Sequence, residues 1–105
     1  MGECKVTVDA GVCKKISVIE AKTNDDGYVE LKVTSDCPNI LKLSWGLEPE
    51  FAFMVVESPM NRTKIYELAS EDIPHAACPV PSAMIKAMEV AGDLGLKRDV
   101  IMKIE

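Results

Sequence analysis

A turn sequence between two alternating segments constrains the fold of this chain more than any other feature. Residues 23–27 read TNDDG, and they separate KISVIEA (15–21) from YVELKVT (28–34). Asn, Asp and Gly tolerate the dihedral angles of a tight reversal, and alternation of apolar and polar residues indicates β-strands. The sequence therefore predicts a β-hairpin over residues 15–35, with Val29, Leu31 and Val33 on one face.

The remaining elements are predicted around this hairpin. A first strand, KVTVD (5–9), precedes it, and residues 9–13 are expected to form the connecting turn. Cys37-Pro38 begins a helix, because proline is preorganised for the first helical position. We expect further helices over 51–58 and 61–69, a last helix that begins at Cys78-Pro79, and a closing strand over 99–104 (DVIMKI).

The last helix carries the clearest helical pattern. Its buried stripe is predicted to consist of Met84, Ala87, Met88 and Ala91, and Gly95 is its expected end. Together the elements predict a single α+β domain over residues 1–105. The predicted architecture is a small antiparallel sheet in the order β-β-β-α-α-α-β, with the helices packed on one face.

Charge and hydropathy exclude several classes of function. The 105 residues include 12 Lys and Arg against 17 Asp and Glu, a formal net charge of −5. This balance argues against nucleic acid as a partner, because such binding depends on cationic neutralisation of phosphates. The longest apolar run, FAFMVV (51–56), is far shorter than the roughly 20 residues of a membrane span, which argues against a membrane partner.

We expect a cytoplasmic protein, because the start of the chain shows no basic region followed by an apolar one, as a secretory signal would. In that compartment the four cysteines are kept as thiols, since structural disulfides are rare there. The thiols are then packing residues, metal ligands or reactive groups.

Three of the four cysteines, Cys13, Cys37 and Cys78, lie where one predicted element gives way to the next. The start of a helix stabilises a thiolate, which is both the nucleophilic and the metal-ligating form of cysteine. His75, the only histidine, precedes Cys78 by three residues. We therefore predict a metal site made of Cys13, Cys37 and Cys78, with His75 or Cys4 as the fourth ligand. Zinc accepts either set, and an iron–sulfur cluster usually takes four cysteines.

Three motifs carry a resemblance to known sequences. VDAGVC (8–13), SDCPN (35–39) and HAACPVPSAMIKA (75–87) resemble a family of small uncharacterised proteins from anaerobic archaea and bacteria, over nearly the whole chain. The two Cys-Pro helix starts also resemble, locally, the TSCPD domain at the end of certain ribonucleotide reductases. That resemblance implies metal binding, although Val80 stands where the TSCPD pattern has an acid.

Two other functions remain open at this point. Cys78 with His75 would serve a thiol-active redox or catalytic protein. Alternatively, the cysteines only pack, and the chain is an interaction module. The sequence assigns no catalytic residue, because it has no glycine-rich phosphate loop and no nucleophile elbow. An exposed edge on a small sheet would favour a homodimer.

Overall fold

The computed structural model describes residues 2–105 and shows an α+β fold in which three strands are followed by four helices. The strands are β1 (Glu3–Asp9), β2 (Ile16–Thr23) and β3 (Val29–Ser35). The helices are α1 (Pro38–Ser44), α2 (Ala52–Val56), α3 (Lys64–Asp72) and α4 (Val80–Ala91). Short 3-10 turns cover Gly11–Cys13 and Met60–Arg62. No helix in the described part of the chain is both long and apolar enough to cross a bilayer.

The sheet is antiparallel with strand order β1-β2-β3. The predicted hairpin is confirmed: Thr23 pairs with Val29 across the turn, and Asn24 Oδ1 accepts hydrogen bonds from the amides of Asp26 and Tyr28 at 3.0 Å each. Gly27 has φ +84°, a conformation that glycine adopts without steric cost. As in any β-strand, successive residues along each strand face opposite sides of the sheet.

One face of the sheet is covered by the helices and holds the core. Ile19, Ala21 and Val29 are at most 2% exposed, and α4 packs across β1 and β2 while α1 packs on β3. The predicted stripe of α4 is confirmed, because all four of its members are buried: Met84, Ala87, Met88 and Ala91. The opposite face carries charged rows, such as Glu3, Lys22 and Glu30.

The predicted closing strand over residues 99–104 is wrong. Residues 96–105 form no helix or strand, and the side chains of Val100, Ile101, Met102 and Ile104 are 67% to 95% exposed. The sequence has strand-forming residues here, but a strand exists only when an edge supplies its hydrogen bonds. Within residues 2–105 no edge of the sheet pairs with this segment.

Helix boundaries also differ from expectation. α4 ends at Ala91 rather than near Gly95, because Gly92 is its C-cap and Asp93 adopts a left-handed φ of 62°. α3 begins at Lys64, because the Thr63 hydroxyl caps it by accepting a hydrogen bond from the Tyr66 amide. The stretch before it forms the separate 3-10 turn.

Candidate thiol site

Cys13 and Cys37 lie at one end of the sheet, and Cys78 lies in the loop before α4, whose N-terminal end is directed toward the same end. This end, here called the thiol pole, is formed by Asp9 of β1, Ile16 of β2 and Ser35 of β3. The three cysteines lie on three different connections: the β1–β2 turn, the β3–α1 junction and the loop before α4. All four cysteines of the chain are free thiols.

Cys13 ends the 3-10 turn between β1 and β2, and its side chain is exposed. The turn is held by Asp9 Oδ1, which accepts a hydrogen bond from the Gly11 amide at 3.0 Å. Lys14 follows with φ 60° and donates its amide to the Gly11 carbonyl oxygen. Cys13 therefore sits on a tight turn whose side chains are open to solvent.

Cys37 is the N-cap residue of α1, as the Cys37-Pro38 pair predicts, with Pro38 at the first helical position. Its amide donates to Ser35 Oγ at 3.0 Å, and Ser35 Oγ is 2.7 Å from the buried Ser17 hydroxyl. The Asp36 amide also donates to the Ile16 carbonyl oxygen. These bonds fix the backbone of Cys37 against the ends of β2 and β3, and its half-buried side chain packs against the core.

Cys78 lies just before α4 and is also half-buried against the core. Its amide donates to the His75 carbonyl oxygen at 3.1 Å, which closes a turn containing the exposed His75. The N-cap of α4 is Pro79, so Cys78 stands one position farther from the helix than Cys37 does from α1. Pro81 occupies the first turn instead.

The direction of α4 indicates that Cys78 lies toward the thiol pole. Thr23 Oγ1 donates to the Ala91 carbonyl oxygen at 2.7 Å, so the C-terminal end of α4 lies at the opposite end of the sheet. The helix packs on β1 and β2. Its 12 residues span about 18 Å, which carries its N-terminal end toward the thiol pole.

Cys4 lies away from the other three. It pairs with Ala21 near the end of the sheet opposite the thiol pole. Ala21 is four residues along β2 from Ser17, a distance of about 13 Å at the usual rise per residue. Burial raises the pKa of the Cys4 thiol, and the nearby Lys97 charge lowers it by a smaller amount. Cys4 is therefore held mainly as the neutral thiol, the form that is neither a ligand nor a nucleophile.

The predicted ligands share a region of the molecule, but they do not form a completed coordination shell. Among residues 2–105, no group of three or more His, Cys, Asp or Glu side chains is arranged to hold a metal ion. Cys37 and Cys78 are fixed by packing, whereas Cys13 and His75 lie on exposed connections. Coordination by this set requires those two exposed side chains to move toward the two packed thiols.

Sequence reasoning did not find the hydroxyl pair of Ser17 and Ser35 at the thiol pole. Ser17 is 1% exposed, and its only side-chain partner in the described residues is Ser35 Oγ. In the sequence, Ser17 stands between the apolar residues Ile16 and Val18. Alternation along a strand therefore predicts that the two apolar residues, and not the serine, face the core. The hydroxyl pair orders the segment that carries Cys37.

Comparison with known sequences places this arrangement in a family. The model of a family of unknown function (DUF6951) matches residues 4–104. The chain belongs to this family. The DUF6951 match includes nearly the whole sheet, all four cysteines, the four helices and most of the exposed C-terminal segment. No curated protein matches the chain.

Proposed function

We propose that this chain binds a zinc ion at the thiol pole, with Cys13, Cys37 and Cys78 as thiolate ligands and His75 as the fourth ligand. The observation that supports this proposal is that Cys13 and Cys37 flank one end of the sheet, while α4, which follows Cys78, has its other end at the opposite end of the sheet. A Cys3His set is a structural zinc shell, with Zn–S bonds of about 2.3 Å. The proposed setting is a reducing compartment, such as the cytoplasm, in which all four thiols stay unoxidised.

The position of Cys4 favours zinc over an iron–sulfur cluster. A cluster usually takes four cysteine ligands, and the chain has four cysteines in all. Cys4 lies about 13 Å along the sheet from the thiol pole. It therefore does not reach a centre shared with the other three in the same chain, and His75 is the remaining donor nearby in sequence to Cys78.

The protein contributes two kinds of ligand to this proposal. Cys37 and Cys78 are each positioned by packing against the core and by a backbone hydrogen bond. Cys13 and His75 complete the shell from exposed connections. Because thiols must lose their protons to bind, zinc uptake at neutral pH releases protons and tightens as the pH rises.

The test is a zinc titration of reduced protein, purified without oxygen, against a chromophoric chelator. We expect about one equivalent of zinc and proton release on binding. Cys37→Ser and Cys78→Ser should each weaken zinc binding at least about tenfold, because each removes a thiolate ligand. Cys4→Ser is the matched control, since it removes a thiol at the other end of the sheet.

Two results would contradict zinc binding at the thiol pole. One is zinc uptake below about 0.1 equivalent, unchanged in a Cys13/Cys37/Cys78 triple serine variant. The other is an equal loss of affinity in Cys4→Ser. Stoichiometric iron and sulfide in the anaerobically purified protein would instead support a cluster and overturn the zinc assignment.

A second candidate function is thiol chemistry at Cys78 without a metal. The observation that favours it is the turn in which the Cys78 amide donates to the His75 carbonyl oxygen, because it holds the backbone of the only histidine next to that of a thiol residue. Alkylation of Cys78 followed against pH tests it. A titration midpoint near the ordinary thiol value of about 8.5, unchanged in His75→Ala, would reject an activated thiolate.

A further inference from the structure

The C-terminal segment of this chain, Lys97–Ile104, carries four exposed apolar side chains and pairs with no strand among the described residues. Val100, Ile101, Met102 and Ile104 are strand-forming or apolar residues, and each is at least 67% exposed. The family match extends through residue 104, so the segment is part of the shared family sequence. Large apolar side chains grouped in this way mark an interaction surface rather than ordinary surface residues.

The sheet offers an edge that suits such a segment. β1 has β2 as its single strand neighbour in the described residues, so the backbone groups on its other side have no strand partner. Unpaired edges of this kind accept a further strand from another chain. β1 is seven residues long and its core-facing residues are Cys4, Val6 and Val8.

We propose that two copies of this chain form a dimer in which Lys97–Ile104 of each copy adds to the free edge of β1 of the other. Each three-stranded sheet thereby gains a fourth strand. This is β-strand addition, in which main-chain hydrogen bonds supply affinity and alternate side chains supply register. The occupant of each edge is the same segment, so the contact is reciprocal and consistent with a twofold axis.

The direction of the segment favours a second copy over the same chain. α4 ends beside the start of β1, and Lys97 lines a groove together with residues of all three strands, among them Glu3, Lys22 and Glu30. A segment that leaves from this point would run along its own β1 in the parallel direction. A twofold-related copy offers its β1 in the antiparallel direction, which gives the more stable ladder. In the single chain the segment is in fact unpaired.

Charge selects a register for the antiparallel pairing. With Val100 beside Val6 and Met102 beside Cys4, the outward row sets Lys103 against Glu3 and Lys97 against Asp9. Opposite charges directly across two strands are stabilising, and like charges are destabilising. Moving the segment by two residues, so that Val100 lies beside Val8, instead sets Lys103 against Lys5 and Asp99 against Asp9. The opposite shift, with Val100 beside Cys4, retains a single opposite-charge pair, Asp99 against Lys5.

The single chain exposes more surface than a typical folded monomer of its mass. Its accessible surface is 7309 Å², whereas a folded monomer of its 11.5 kDa mass exposes about 5,800 Å². The excess of about 1,500 Å² per chain is larger than the roughly 800 Å² that each partner contributes to a typical specific interface. Pairing of the segment would cover part of this surface.

Charge reversal in the full-length chain tests the dimer, with molar mass followed by light scattering over a concentration series. We expect the wild-type mass to approach twice the chain mass. Lys103→Glu sets two carboxylates opposite each other, and Glu3→Lys sets two ammonium groups opposite each other, so each variant should weaken the dimer about tenfold. Glu30→Lys is the matched control, because Glu30 lies in the same outward row but on β3.

Mixing the two variants separates exchange between copies from pairing within one chain. In the mixed dimer both contacts regain opposite charges, so an equimolar mixture of Lys103→Glu and Glu3→Lys should recover the wild-type affinity. Three results would overturn the proposal: a wild-type chain that is monomeric throughout the series, a dimer that neither variant weakens, or recovery in the double variant of one chain without recovery in the mixture. Circular dichroism confirms that each variant is folded.

Discussion

Glu50 is a partly buried carboxylate whose pKa is raised by its surroundings. Its backbone pairs with Val29 in both directions, with N···O distances of 2.7 and 3.1 Å, so its side chain is held at the margin of the sheet. Burial raises the pKa of the Glu50 carboxyl most, the Glu48 charge raises it further, and the Lys64 charge lowers it. The folded chain therefore binds this proton more tightly than the unfolded chain.

The raised pKa of Glu50 determines a pH dependence of stability. The free energy of unfolding should fall as the pH rises from about 4.3, the unfolded value, through the raised pKa of the folded chain. Glu50→Gln removes this loss, so it should stabilise the protein at pH 7 by less than about 1 kcal/mol, because the side chain is partly screened by solvent. The stabilisation should disappear below about pH 4.

Urea unfolding at about pH 3.5 and pH 7, on either side of this titration, measures the effect. Glu57→Gln is the matched control, because Glu57 is also a glutamate, at the end of α2, but its side chain is exposed. A Glu50→Gln variant with the same change in unfolding free energy at both pH values would contradict the assignment, since an uncharged cause such as altered packing does not titrate.

At the scale of elements, α4 is the helix on which the fold depends. Met84 on this helix is 0% exposed, whereas Met54 on α2 is 65% exposed. Truncation of a fully buried methionine removes transfer free energy and leaves a cavity, so Met84→Ala should destabilise the protein by about 2–5 kcal/mol. Met54→Ala should cost less than about 0.5 kcal/mol. Chemical unfolding followed by circular dichroism compares the two, and equal losses would contradict this core.

The end of α4 also requires a close approach to α2. A Cβ atom at Gly92 would lie 2.5 Å from the Ala52 Cβ and 3.1 Å from the Met88 carbonyl oxygen. Gly92→Ala should therefore destabilise the protein by about 1–3 kcal/mol through overpacking. The Ala52→Gly/Gly92→Ala double variant removes the principal clash, so its loss should be smaller than the sum of the two single losses. Additive losses would place the strain elsewhere.

The elements that could be predicted from the sequence are those specified locally. The turn at residues 23–27 and the stripe of α4 were predicted correctly, because turn chemistry and helical spacing are properties of adjacent residues. The strand expected over 99–104 was wrong for the opposite reason. Its residues favour a strand, but a strand forms only where the edge of another strand supplies hydrogen-bond partners. In β2, the apolar Ile16 and Val18 face outward, while Ser17 is buried.

The candidate site could be predicted only in part. The sequence identifies Cys37 as a helix-start residue because Pro38 follows it directly. It does not reveal that Cys13 and Cys37 flank the same end of the sheet or that α4 directs Cys78 toward it, since both depend on the direction of α4 and on the register of three strands. Nor does it show that Cys4 lies about 13 Å along the sheet from the thiol pole. The proposed choice of His75 over Cys4 as the fourth ligand rests on this distance.

At the scale of the whole molecule, the core is aliphatic. The chain has one Trp, two Tyr and two Phe, and none of them is among the buried residues within 2–105. Trp45 at the end of α1 is 80% exposed, and Phe51 and Phe53 are about half exposed. The core instead packs Ile, Leu, Val, Ala and Met side chains. The fluorescence of these aromatic side chains therefore reports on their surroundings at the surface rather than on the packing of the core.

This arrangement makes Trp45 a test of where two copies meet. α1 packs on β3, at the edge of the sheet opposite β1, so a dimer formed at β1 leaves Trp45 exposed. We expect its fluorescence emission and its quenching by acrylamide to change little across the concentration range in which the dimer forms, and little on unfolding in urea. An emission shift to shorter wavelength with concentration would show that the partner covers α1 instead, because exclusion of water around the indole requires contact at that surface.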